Sequence, residues 1–254
     1  MLDLAQLLRT PHVEPLFDIS PDNSKIAFAW NKTGEWQIYE LELNYPSQLH
    51  PITSGGGGKF NPRYSPDGTK IAYALDSDGS ESYHIVVYDP STNTHSDLTS
   101  NTPHALQPNF CWSPVGNQLA FLSDEQGHFG TYIMSVNGED KNLVLDTSHP
   151  AWQVEWSPNG KHLAASCEMQ GQDYGIFILD LDTGKTTQVP LNAHEPKWSP
   201  DGNRLLFHSD ENGWFDIGIY DLSTEGIEWV TKSKNDSQSP VSVGNRIAYL
   251  QSKG

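Results

Sequence analysis

The sequence predicts an all-β fold, a β-propeller of four-stranded antiparallel blades with five complete repeats, part of a sixth and a short N-terminal helix. Three observations carry the prediction: a motif recurring every 42 to 48 residues, turn chemistry at one place in every copy, and short alternating apolar runs beside that turn. The copies ISPDNSKIAFAW, YSPDGTKIAYAL, WSPVGNQLAFLS, WSPNGKHLAASC and WSPDGNRLLFHS align without gaps. Their prolines are Pro21, Pro66, Pro114, Pro158 and Pro200, separated by 45, 48, 44 and 42 residues.

In chain order, residues 1–14 come first as a helical segment. Leu2, Leu4, Leu7 and Leu8 give it an apolar pattern and Pro11 stops it, leaving a helix that packs on a propeller rim or contacts a second domain. Blades follow over residues 15–54, 59–100, 107–147, 151–190 and 194–232, with a partial blade over 239–254. The fifth shows the internal plan: strand HEPKWS, turn PDGN, strand RLLFHS, loop DENG, strand WFDIGIYDL, turn STEG and strand IEWVT. Proline presets one turn angle, and the following Asp or Asn with Gly supplies a residue that tolerates positive φ.

A lone four-stranded blade leaves both faces uncovered, so blades must stack radially and bury apolar side chains between them. Two residues before the turn prolines stand Tyr64, Trp112, Trp156 and Trp198, with Ile19 in the first copy. Inter-blade core accounts for this repeated aromatic; a stacking site is the functional alternative. The last segment, GNRIAYL, matches the second strand of a sixth blade. A half blade exposes strand edges. The expectation is therefore a piece of a longer protein, or self-association through a second copy.

Fifteen Lys and Arg stand against 32 Asp and Glu, a formal charge of −17 that repels nucleic acid and anionic membranes. Neither is expected as a partner. Two cysteines, Cys111 and Cys167, provide no disulfide framework. No basic n-region with an apolar stretch opens the chain, and no run reaches a membrane span, so a cytoplasmic location is expected.

Residues able to carry chemistry are sparse. No G-x-S-x-G string is present, so the chain itself is not expected to be an enzyme. Gly55 to Gly58 lack the flanking residues of an oxyanion loop or phosphate cradle and read as a flexible crossover between blades. The ten histidines are scattered; His149 and His194 recur just before the innermost strands of the fourth and fifth blades, without enough companions for a metal. Asp76 and Asp78 begin like a calcium loop but read as turn residues. No metal or cofactor is expected.

One constellation stands out. Three residues before the turn prolines lie Asp18, Arg63, Cys111, Glu155 and Lys197, which repeat symmetry would set near a central channel, Asp18 beside Arg63 and Glu155 beside Lys197. They either pair to lower the cost of burial or, together with His194, contact charged peptide substrate. Trp30, Trp36, Phe129 and Trp214 lie in or beside hairpin loops and are the candidate interface anchors.

The SPDG and IAF blades, with loops such as SDEQG at 123–127 and SDENG at 209–213, resemble two groups of propellers. One is the N-terminal propeller of the prolyl oligopeptidase family, especially its acylaminoacyl peptidase and dipeptidyl peptidase branches; the other is the TolB-type propeller. The resemblance runs from about Leu16 to Leu250. The early first blade, PLFDISPDNSKIAFAWN, and the unfinished array favour the peptidases, since TolB-type proteins carry an export signal and an α/β domain first. That resemblance implies a noncatalytic domain filtering peptides, docked on a C-terminal α/β-hydrolase domain that holds the nucleophile, acid and base. A standalone protein- or ligand-binding propeller is the alternative.

Overall fold

The computed structural model describes residues 11–252, apart from Pro46, Gln172 and Asn245. It is built of strands. The first blade comprises β1 (Val13–Ile19), β2 (Lys25–Trp30), β3 (Gln37–Glu42) and β4 (Leu49–Pro51), and the second β5 (Gly58–Tyr64), β6 (Ile71–Asp76), β7 (Tyr83–Asp89) and β8 (Thr94–Asp97). Then come β9 (Leu106–Trp112), β10 (Gln118–Ser123), β11 (Gly130–Ser135) and β12 (Asn142–Leu145), followed by β13 (Ala151–Trp156), β14 (His162–Glu168), β15 (Tyr174–Asp180) and β16 (Thr186–Gln188). The fifth blade is β17 (His194–Trp198), β18 (Arg204–Ser209), β19 (Asp216–Asp221) and β20 (Gly226–Trp229), and β21 (Ser237–Val243) pairs with β22 (Arg246–Gln251) as a hairpin. Each complete blade is a four-stranded meander in sequence order. The expected helix over 1–14 falls largely on residues outside those described; Val13 and Glu14 are strand, because β1 pairs with β2 from Val13 onward.

The turn motif explains why each first strand reverses into the second. Ser65 Oγ donates to Asp67 Oδ1 at 2.6 Å and accepts the Lys70 N–H at 2.9 Å, while the Gly68 N–H closes the turn on the Ser65 carbonyl at 2.8 Å. Ser157 with Asn159 and Ser199 with Asp201 repeat the device. Gly68 takes φ +71; in the first blade Asn23 accepts φ +58 in the same role, which Asn tolerates better than most side chains. Hydrogen bonds from Ser20 and Ser24 hold the Asp22 carboxyl down at about 2 in the first blade, and those from Ser65 and Thr69 hold Asp67 below its ordinary value.

Contacts divide the chain into two compact units. One runs through Pro108 and takes in Val136–Glu139; the other contains Asn109–Ser135 and the chain from Asp140 on. In the first, Ala27, Tyr64 and Ile71 form one buried cluster and Ala29, Ile38, Tyr73, Val86 and Tyr88 another, each joining two blades. In the second, Ala164, Ile176, Trp198, Leu205 and Phe207 join the fourth blade to the fifth. Tyr64, Trp112 and Trp198 are buried, as inter-blade core requires, whereas Ile19 is exposed. Exposed apolar residues gather on β1 (Val13, Leu16, Phe17) and on the β21–β22 hairpin (Val241, Val243, Leu250).

Candidate functional site

The innermost strands are bulged, and the bulges aim the site residues. Pairing shifts register inside β5 and β17, where Asn61 and Glu195 take φ of +48 and +51 just before Pro62 and Pro196. An extra residue at that point turns the following side chains, Arg63 and Lys197, relative to a regular pleat.

Polar groups then link one innermost strand to the next. In the first unit Asp18 Oδ2 accepts the Tyr64 N–H at 2.8 Å, one residue beyond Arg63, and Asn61 Nδ2 donates to the Pro108 carbonyl at 2.8 Å. In the second, Asn109 Oδ1 accepts the Val154 N–H at 2.8 Å, the Lys197 ammonium pairs with the Glu155 carboxylate, and Trp198 Nε1 donates to the Glu155 carbonyl at 3.1 Å. Glu155 and Lys197 are thus neighbours as repeat position requires, both half-buried. Asp18, Arg63 and Cys111 are half-buried as well. Asn61 and Asn109 were not among the sequence candidates, and their only signal was an Asn beside proline on an innermost strand.

His194 sits within an aromatic stack. Its ring lies 5.2 Å from that of His208, with only 6° between their planes, and Phe215 meets His208 edge-on at 5.1 Å. Burial pulls both imidazoles below their ordinary pKa, most strongly His208, while the carboxylates of Glu195 and Asp210 oppose the shift at both rings. A His depressed in the folded state contributes stability above pH 6.5 that is lost as pH falls toward its folded value, because the unfolded chain then binds more protons. His208→Phe is expected to flatten the fall in stability between pH 6.5 and 5 by ~2 kcal/mol, read from urea melts across that range. An unchanged slope contradicts the buried neutral imidazole.

The four expected interface anchors divide. Trp30 ends β2 and lies within a ring cluster with Phe28 and Tyr39, with Lys32 Nζ 4.9 Å over its face. Trp36 packs on Phe60 and the first unit's core, and Phe129 on Trp152 and the second unit's core. These three are half-buried rather than exposed, because each loop folds its aromatic back onto its own unit. Trp214, 45% accessible, is the one that stands clear.

The glycine loop is also ordered rather than a loose crossover. Lys59 is buried, and its Nζ donates toward the carbonyls of Ser54, Gly55, Gly56 and Gly57 at 3.3, 3.0, 2.7 and 3.0 Å. The loop therefore presents oxygens to a cation, the reverse of a phosphate cradle. Burial lowers the Lys59 pKa, and Glu35 opposes the shift.

Asp76 and Asp78 accept backbone N–H groups within their own loop, Asp76 from Gly79 at 2.8 Å and Asp78 from Ser80 at 3.1 Å. His149 Nδ1 lies 2.8 Å from the Thr147 carbonyl. Among the described residues no group of three His, Cys, Asp or Glu is arranged to hold a metal ion, and neither cysteine is in a disulfide. Burial pushes the Cys167 thiol up to about 11, so it is not an activated nucleophile.

Comparison with known proteins agrees with the repeat. The model of the TolB beta propeller domain, PD40, matches residues 6–153 and 82–254. The uncharacterized peptidase YuxL of Bacillus subtilis is 32% identical over 193 residues, covering 59% of this chain and 29% of that protein. The Tol-Pal system protein TolB of Francisella tularensis is 28% identical over 196 residues, covering 75% and 44%. A puromycin-hydrolyzing peptidase from Mycobacterium tuberculosis shares the fold at TM-score 0.70 and 13% identity, over 90% of this chain and 41% of that one. The chain spans under half the length of each of these relatives. It belongs to the TolB-type β-propeller domain family.

Proposed function

We propose that this chain is the noncatalytic propeller of a prolyl oligopeptidase family serine peptidase, governing which peptides reach a hydrolase domain docked against it. The observation that carries this reading is the sequence relationship to the peptidase YuxL, joined to a fold shared with a hydrolysing peptidase. Several features fit. Charged residues recur on the innermost strands: Asp18 and Arg63 in one unit, Glu155 and Lys197 in the other. Charged groups in each unit can discriminate peptides by charge without bond-making chemistry, and Trp214 offers an exposed aromatic anchor for a neighbouring domain. The two thiols fit a reducing, cytoplasmic setting.

The test uses the whole protein carrying this propeller. Arg63→Ala and Glu155→Ala are expected to change the relative turnover of acidic, neutral and basic peptides by several-fold while leaving the hydrolase domain reactive toward a small ester. Unchanged turnover and size preference in both variants removes the selecting role from these residues. A second reading, a propeller that binds a protein or small ligand with no hydrolase attached, is favoured by the TolB relationship over 75% of the chain. Titration of a serine-directed fluorophosphonate into the whole protein separates the two: labelling supports the peptidase, and its absence the binding module.

A further inference from the structure

A cavity of about 420 Å³ lies between the fifth blade and the β21–β22 hairpin, lined in part by Arg204, Arg246, Asp201, Leu206, Ile219 and Ile247. The sequence has only four arginines, and two of them meet here. Their position in the repeat makes this unusual. The residue at the start of the second strand, or in the second blade just before it, is Lys25, Lys70, Gln118, His162 and Arg204 in the five blades, with Arg246 next in the hairpin.

Where that residue is basic in an earlier blade, it pairs with a carboxylate of the third strand. Lys25 Nζ lies 3.7 Å from Glu42 and 2.8 Å from Glu40, Lys70 is bonded to Asp89, and His162 Nε2 lies 3.8 Å from Asp180. Arg204 faces Asp221 in register and has the same opportunity. It makes no ion pair among the described residues. Asp221 accepts Ser223 Oγ at 2.6 Å and the Ser223 and Thr224 N–H groups at 2.9 and 3.1 Å through one oxygen, as Asp89 accepts Ser91 while its other oxygen bonds Lys70. Arg246 has no ion pair among the described residues either. In a chain of charge −17, two guanidiniums that make no ion pair among the described residues and line one cavity form a positive site in a negative field.

Asp201 also lines the cavity and interacts electrostatically with Arg204, its carboxylate accepting Ser199 Oγ at 2.5 Å and the Asn203 N–H at 3.1 Å; this one carboxylate stands against two guanidiniums in the lining, which leaves the arginines in excess. The lining also has apolar side chains: Leu206 is buried, and Ile219 and Ile247 are half-buried. We infer that this cavity is a binding site for a carboxylate attached to an apolar group, as at the end of a short peptide with an aliphatic last residue. A guanidinium matches a carboxylate with two parallel N–H···O bonds, and the volume falls within the range of small-ligand sites. Binding is read on this chain alone, without turnover, so the inference stands or falls separately from the peptidase reading.

The probes are N-acetyl-leucine and N-acetyl-leucinamide, which differ only in the charged terminus, titrated into the chain by calorimetry or NMR. The acid is expected to bind at least about ten-fold more tightly than the amide, as loss of a charge-assisted contact implies. Arg204→Ala and Arg246→Ala should each weaken the acid by about ten-fold or more, with Arg204→Lys intermediate and the melting midpoint unchanged. Lys70→Ala, a control at the same repeat position in another blade, should not affect binding. No measurable binding of the acid, equal binding of acid and amide, or wild-type affinity in Arg204→Ala each overturns the site.

Discussion

Phe207→Ala is expected to destabilise the protein by about 4 kcal/mol, read as a lowered urea midpoint at unchanged slope. Phe207 is fully buried at the junction of the fourth and fifth blades, with Trp229 edge-on at 6.0 Å. Its cross-strand partner is Gly218, and a Cβ there would stand 2.4 Å from the Phe207 ring. The large ring and the missing side chain are complementary halves of one packed layer. Truncating the ring therefore opens a cavity that backbone on the opposite strand cannot fill, whereas adding a methyl at Gly218 forces the ring aside. Gly218→Ala alone should also destabilise, by about 1 to 3 kcal/mol, and should cost less when Phe207 is already Ala. Strict additivity of the two contradicts the complementary packing.

Lys59→Met is expected to lower stability by about 3 kcal/mol, although methionine nearly matches the stem in length and apolarity. The loss is electrostatic: four carbonyls converge on the ammonium, and without it they stay aimed at a buried methyl. Gln37 Nε2, which donates to the Gly55 carbonyl at 2.7 Å, would be the main side-chain donor left to the loop. Hydrogen exchange should localise the change, with loss of protection from Gly55 through Lys59. A loss below about 0.5 kcal/mol means that the loop does not depend on its buried cation.

The blade plan is readable in the sequence because it is written in local chemistry. A turn such as SPDG constrains φ, donors and acceptors within six residues, and every copy of it lies between a first and a second strand. Glu155 and Lys197 are recoverable as neighbours for the same reason, since equal position in adjacent repeats becomes contact. The less readable features depend on bulges and on the direction a side chain takes across a blade boundary. Asp18 reaches the Tyr64 N–H, Asn109 receives the Val154 N–H and Lys59 turns back into its own loop; repeat position alone gives none of these. Trp36 and Phe129 look like loop-tip anchors in sequence, yet their rings cover apolar clusters that become visible only once blades are stacked. Arg204 is the converse: register sets it opposite Asp221, yet it makes no ion pair there.

The most direct measurement of the access role compares one cleavable sequence in two settings, using the whole protein that carries this propeller. The sequence is offered first as a free short peptide and then as a surface loop of a stably folded host. Rapid cleavage of the free peptide with the host loop left intact is the expected result; cleavage of both at similar rates contradicts a propeller that controls access.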